Sequence, residues 1–449
     1  MVWIARELFR IRRCFAKKSI LLICLVFLLF SASITAQSNR ERTNESRFGT
    51  NGGVEQFPRE LQKAGVGISR EWILWAQIEP AKGRFDWSAM DEKVRIANSA
   101  GIEILGYFTN MPSWAKKDKS DFQFFQKENG KKGAEPALNQ KKKAFDFSAP
   151  KDINDFREFA KAVAERYDGR HGHGLMKYIE ILNEVTFPPF FDIKNTDYEP
   201  WLINGFEGVK EGNPQAKVLI GGFVDPLDAR KFVDRMLKNY HRYFDIVNFH
   251  SYSRNDEKII ESTQYIKGRM KVFGVNKPIW ITETGTLASP DADDGDWRSR
   301  VARGVVKRYV MAFGEGVEKV FWWPLIGPPA PDEYSDTATK KAEKLLYMAL
   351  AWGRKAVREF HPRPAYTAYG VMTSKLNGFS SIRRISKNQY EFTVNGRNVF
   401  VLWCDAGGCS IPSEVSGTVK VTDYLGREEI KPASGIVLTP SPVIVERTG

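Results

Sequence analysis

The chain has 449 residues, enough for one α/β barrel and a further small domain. Its 42% hydrophobic and 27% charged content excludes a disordered, fibrous or multi-span membrane protein. The formal charge of +13 falls to about +8 once residues 1–36 are set aside, a balance that permits an anionic partner without requiring one.

The first element is a leader. A basic stretch ending at Lys18 precedes the apolar run Ser19–Phe30 and the small residues Ser31–Ala36, the order of a secretory signal cleaved near Ala36. The alternative is an uncleaved anchor, since residues 19–36 can just span a bilayer. Both readings put the folded chain outside the cytoplasm, secreted or periplasmic, and signal removal leaves no membrane association. A polar linker follows over residues 37–46.

Eight short runs rich in β-branched and aromatic residues come next: Arg47–Asn51, Val66–Arg70, Ile102–Phe108, Lys177–Asn183, Lys217–Gly221, Asp245–Phe249, Pro278–Thr282 and Val317–Trp323. Amphipathic stretches such as Asp152–Tyr167 and Asp228–Tyr240 lie between them, with apolar residues at three- and four-residue spacing. Eight alternating βα units predict an α/β fold, a (β/α)8 TIM barrel over residues 47–379. A doubly wound open sheet is the runner-up, weakened because no glycine-rich phosphate loop follows the first run.

From residue 380 to 449 the runs are closely spaced, with the turn Asn395-Gly396 and no room for helices, which predicts a small all-β, sandwich-like domain. In it Cys404 and Cys409 flank Asp-Ala-Gly-Gly, a turn able to bring two sulfurs together in an oxidising compartment. Metal binding is not expected of these cysteines, because the nearest histidine in sequence is His361.

Barrel chemistry sits at the C-terminal ends of the strands. The fourth run ends in Asn183-Glu184 and the seventh in Thr282-Glu283-Thr284-Gly285, three βα units apart, which puts both carboxylates on one rim. Either glutamate alone could simply start the next helix, where a carboxylate suits the positive dipole end. As a pair they suit glycosidic-bond cleavage, in which one carboxylic acid protonates the leaving oxygen and a second carboxylate attacks or activates water.

Tyr178-Ile-Glu-Ile-Leu-Asn-Glu184 resembles the strand-four signature of the retaining glycoside hydrolases of clan A, Phe249-His-Ser-Tyr252 their strand-six motif, and Trp280-Ile-Thr-Glu-Thr-Gly285 their strand-seven nucleophile. Within the clan the chain looks most like family 39, which includes β-xylosidases, α-L-iduronidases and exopolysaccharide endoglycosidases; families 5 and 42 are neighbours. Arg70, residues 78–87, Trp322-Trp323 and residues 363–369 fit as well, so the likeness runs over about residues 47–446. Leu182 and Val185 depart from the family's usual Trp and Pro, at positions that carry no protons.

The resemblance implies a secreted carbohydrate-active hydrolase. Glu184 is then the acid and base, and Glu283 the nucleophile held by Arg70 and Tyr252. Asn183 bonds a sugar hydroxyl. His250 is either a core imidazole or a support for Tyr252. Trp323 is the sugar platform, since strand neighbours alternate and Trp322 must face the other way. The chemistry calls for no metal or organic cofactor.

The segment Met111–Pro150 joins the third run to its helix and is long for such a connection. Its nine lysines against five acidic residues, with Trp114 and Phe122, Phe124 and Phe125 as stacking surfaces, suit an acidic polysaccharide; a plain solvated loop is the alternative. Two other readings remain. A non-catalytic glycan-binding barrel need not keep both carboxylates, and a nucleic-acid-binding protein would be neither exported nor free of a binding motif.

Overall fold

The computed structural model describes residues 46–117, 147–187, 190–192, 196–290, 296–330, 344–353 and 358–448. The leader and linker of residues 1–45 and most of the lysine-rich segment, 118–146, lie outside these. Among the described residues no helix is long and apolar enough to cross a membrane.

All eight expected runs form parallel strands: β1 (Phe48–Asn51), β2 (Ile68–Leu74), β3 (Glu103–Thr109), β4 (Tyr178–Glu180), β5 (Lys217–Leu219), β6 (Val247–Ser253), β7 (Ile279–Thr286) and β8 (Lys319–Trp322). They pair in the order β5-β4-β3-β2-β1-β8-β7-β6, and a parallel bridge between Leu219 and Ile246 joins the two ends into a barrel. Helices follow the strands on the outside; Asn154–Arg166 turns Phe156, Phe159, Ala160, Val163 and Ala164 inward, at the spacing that gives a helix one apolar face.

Inside the barrel, Ile68, Leu105, Tyr178, Leu219, Ile246, Trp280 and Phe321 form one apolar layer, one side chain from nearly every strand. β1 contributes Gly49 instead: a Cβ there would stand 2.4 Å from the Phe321 ring. On β2 and β4 the residue two places further on faces inward again, and there the layer turns polar, with Arg70 and Glu180; on β6 His250, four places beyond Ile246, joins them.

β4 is shorter than its run. The chain leaves the ladder after Glu180, and Leu182 and Glu184 both adopt positive φ, 70° and 45°. Tyr198 secures the irregular backbone by donating its hydroxyl to the Ile181 carbonyl at 3.0 Å and accepting from Gly221 N at 2.7 Å. Positive φ in non-glycine residues costs about 1–3 kcal/mol each and persists where surrounding structure fixes it, a pattern typical of functional sites.

The C-terminal strands form one six-stranded antiparallel sheet that starts at Phe379. One face carries Tyr390, Phe392, Val399, Val401 and Trp403 into the main core. There Phe379 packs on Phe313 of helix Trp297–Gly314, with ring centres 5.2 Å apart. The other face holds its own cluster around Phe400, Leu402, Val419 and Val445. Cys404 and Cys409 are bonded, with Cα atoms 5.9 Å apart. Described residues from Ser46 onward make one compact unit.

Candidate active site

The polar layer is organised by Arg70, a guanidinium with almost no exposure. All five of its N–H groups find acceptors. Nε reaches Glu180 Oε2 at 2.8 Å; one terminal nitrogen reaches Glu180 Oε1 at 2.9 Å and Asn183 Oδ1 at 2.7 Å; the other reaches Glu283 Oε1 at 2.6 Å and Asn51 Oδ1 at 3.2 Å. The Tyr107 ring lies beneath, 3.8 Å from the guanidinium carbon. Burial alone would lower the Arg70 pKa, but the charges of Glu180 and Glu283 outweigh it and raise it, so the group stays cationic.

Glu283 reaches this network because β7 carries a bulge. Trp280 faces the barrel interior, so strict alternation would turn Glu283 outward. Instead Phe249 pairs with Ile281 and His250 with Glu283, which leaves Thr282 as an extra residue and returns Glu283 to the inner face. The displaced backbone is supported: Asn51 Nδ2 donates to the Thr282 carbonyl at 3.0 Å and Asn248 Nδ2 to Thr282 Oγ1 at 3.0 Å. From the helix side, Arg308 Nε donates to Thr284 Oγ1 at 2.8 Å.

The second oxygen of Glu283 accepts a hydrogen bond from the Tyr252 hydroxyl. Burial pushes the Tyr252 phenol well above its ordinary pKa and the adjacent Glu283 charge pushes it further, so it remains a donor. His250, 1% exposed, lies with Nδ1 3.0 Å from Glu184 Oε1 and 3.5 Å from Glu283 Oε2. Its Nε2 is buried with no partner among the described residues. Facing it is Gly222, where a Cβ would stand 2.5 Å from His250 Nε2 and 2.7 Å from Glu180 Oε1.

Glu184, His250 and Glu283 each offer a ligand-type atom, all within 4.8 Å of one another, the one such group among the described residues. Arg70 and Tyr252 already occupy both oxygens of Glu283, and His250 faces Glu184.

The structure thus gathers Arg70, Asn183, Glu184, His250, Tyr252 and Glu283. Trp323, half-buried, meets the Tyr252 ring edge-on at 5.9 Å, while Trp322 is fully buried and donates Nε1 to the Met348 carbonyl. Trp114 is held elsewhere: its indole donates to the Glu79 carbonyl at 2.9 Å and packs edge-on against Trp75.

Sequence reasoning missed Glu180, Asn51 and Gly222. For Glu180 the signal was present, because a charge two residues beyond Tyr178 on the same strand face has to point into the barrel and needs a buried partner. It also missed two exposed aromatics. Trp72, 38% exposed, stands two residues beyond Arg70 on the same face of β2. Phe187, 48% exposed, donates its backbone N–H to the Glu184 carbonyl at 2.8 Å, closing a turn that keeps it beside that residue.

Comparison with known proteins adds a partial family match and a shared fold. The family model of the β-galactosidases of glycoside hydrolase family 42 matches residues 51–217, from Asn51 through Arg70 and Asn183-Glu184. Among solved structures, the fold is similar to a family 39 glycoside hydrolase from Bacteroides cellulosilyticus WH2, with a TM-score of 0.63, 16% identity, and 90% of this chain and 82% of that one covered. It is also similar to a family 39 β-xylosidase from Caulobacter crescentus, with a TM-score of 0.61, 12% identity, and 90% and 96% coverage. SrfJ from Salmonella typhimurium follows, with a TM-score of 0.56, 11% identity, and 90% of each chain covered. No curated protein matches.

The barrel and the paired carboxylates, with a family match over residues 51–217, are similar to those of glycoside hydrolases. In fold the chain is similar to the family 39 enzymes of clan A. The non-catalytic glycan-binding alternative is not favoured, since both carboxylates are present and brought together.

Proposed function

We propose that the protein is a retaining glycosidase that works by double displacement on an oligo- or polysaccharide. The observation that carries this is the closeness of the two carboxylates, with an oxygen of Glu184 and one of Glu283 within 4.8 Å. Retaining enzymes hold the pair about 5–5.5 Å apart, whereas inverting enzymes need about 6.5–9.5 Å to admit a water between carboxylate and sugar.

In this reading Glu283 attacks the anomeric carbon while Glu184 gives its proton to the departing oxygen. The C–O bond to the leaving sugar breaks as the bond to Glu283 forms. Glu184, now a carboxylate, takes a proton from water, which attacks the same carbon and releases Glu283. Arg70 and Tyr252 hold both oxygens of Glu283 in one orientation, so little reorganisation is needed at the moment of attack. With Asn183 Oδ1 committed to Arg70, its amide nitrogen is left as a donor for a sugar hydroxyl. Trp323 on the Tyr252 side and Phe187 on the Glu184 side offer apolar faces to pyranose rings.

Two finer readings belong here. The lysine-rich segment 111–150 suits an acidic polysaccharide as substrate. Export, to the periplasm or beyond, is supported by the leader sequence and fits the Cys404–Cys409 bond. The test of the function is proton NMR of the first-formed sugar, after a panel of polysaccharides and aryl glycosides has identified a substrate. Retained configuration is expected, and an inverted first product would overturn the mechanism.

A further inference from the structure

Glu180 touches no solvent, yet among the described residues it alone meets Arg70 with both carboxylate oxygens. Both its oxygens are spent internally: Oε2 on Arg70 Nε at 2.8 Å, Oε1 on an Arg70 terminal nitrogen at 2.9 Å and on Gly222 N at 2.8 Å. This side-on pairing fixes the plane of the guanidinium, because two parallel N–H···O bonds leave it no rotation. The opposite edge of that plane then aims one N–H at Asn183 and one at Glu283.

The charge count points the same way. Arg70 with Glu283 alone would be a neutral pair, and a nucleophile whose charge is wholly offset attacks weakly. With Glu180 added, one cation is shared by two carboxylates, and the nucleophile keeps negative charge while remaining fixed in place. Burying a carboxylate is costly unless it is fully paired, so a buried glutamate here calls for a reason beyond packing.

We propose that Glu180 is a positioning residue for the nucleophile, setting both the aim of Arg70 and the share of its positive charge that reaches Glu283. The proposal rests on Glu283 being the nucleophile of the glycosidase reading above. The groups facing Glu283 are Arg70 from β2, Tyr107 from β3, Glu184 beyond β4, and His250 and Tyr252 from β6. A change confined to Glu180 leaves all of them in the sequence.

The test uses Glu180→Gln and Glu180→Asp in the full chain, assayed on 4-nitrophenyl β-D-xyloside and β-D-galactoside, with crystal structures of both variants. In Glu180→Gln, kcat should fall 10-fold or more with KM within about 3-fold. The acid limb of kcat/KM should move to lower pH, because Arg70 now acts on Glu283 alone. Glu180→Asp keeps the charge but is one methylene shorter, so kcat should fall while the acid limb stays in place. The crystal structures should show the guanidinium displaced from Asn183 or Glu283. An unmoved guanidinium, a loss confined to KM, or an acid limb that shifts equally in both variants would overturn the proposal. An unmodified protein that cleaves neither glycoside and releases no sugar from the polysaccharide panel would overturn the glycosidase reading itself, and with it this one.

Discussion

Tyr252 donates its hydroxyl to the one oxygen of Glu283 that Arg70 leaves open, so each oxygen of the carboxylate has its own donor. Tyr252→Phe removes one donor and keeps the ring that meets Trp323. Loss of a single preorganised donor costs about 10²–10³ in kcat in comparable sites. The variant should lose activity on that scale with KM nearly unchanged, as steady-state kinetics on an aryl glycoside would show. A loss expressed chiefly in KM would mean that Tyr252 binds sugar and does not orient the nucleophile.

Glu283→Gln should abolish turnover, because an amide supplies no attacking oxyanion, while circular dichroism stays native. Glu184→Ala should be partly rescued by azide on a substrate whose leaving group needs no protonation, giving a glycosyl azide of retained configuration. Near-normal activity in the Glu283 variant would remove it from the nucleophile's place.

Gly222→Ala tests the floor beneath the histidine. The new methyl would meet His250 Nε2 and Glu180 Oε1 inside ordinary contact distance, and neither group has room to retreat. Overpacking of this kind costs about 1–3 kcal/mol. Thermal unfolding should show that loss, and activity should fall more than the unfolded fraction accounts for, since His250 is pushed toward Glu184. A variant as active and as stable as the parent would show that the floor is soft.

Asp91 gives a prediction in pH. Burial would raise its pKa, but hydrogen bonds from Arg166 and Tyr167 outweigh that and hold it below the usual carboxylate value. A depressed native pKa stabilises the fold above the unfolded value of about 3.9, and that stability is lost as pH falls through the native value. Solvent screening keeps the contribution to roughly 0.5–1 kcal/mol. Asp91→Asn should therefore unfold at lower urea than the parent at pH 7 and pH 5, with the gap closing below about pH 4. A gap that persists at pH 3 would assign the effect to packing.

Attraction of an acidic polysaccharide to the lysines of residues 111–150 would be screened over about 8 Å at physiological ionic strength. KM on acidic oligosaccharides should rise with salt while KM on neutral ones stays level. A flat response, or a preference for neutral chains, would leave the segment without an electrostatic role.

The sequence is legible where it repeats a rule. Eight apolar runs separated by amphipathic stretches suffice for the barrel, and each run appears as a strand. Arg70, Asn183, Glu184, His250, Tyr252 and Glu283 were readable because a strand end is where a barrel keeps its chemistry, and they do meet there. Glu180 carried a local signal, a charge on the inner strand face two residues beyond Tyr178, but its role depends on a partner 110 residues away in sequence. Gly222 was hidden because a missing side chain leaves no periodicity to detect. The early end of β4 follows from tertiary bonds, with Tyr198 holding the backbone of Ile181 and Gly221 outside the ladder.

The extra residue in β7 makes the aim of Glu283 a matter of parity. Bulged, the strand puts Trp280 and Glu283 inward and leaves Thr284 bonded to Arg308 on the helix side. Paired regularly with the same residues, it would put Thr282 and Thr284 inward and turn Glu283 toward the helices. Glu184 and the exposed aromatics would then face a rim without a second carboxylate. Deleting Thr282 joins Ile281 directly to Glu283 and keeps that side chain inside, so the rim tolerates a shorter strand but not a regular strand of the present length.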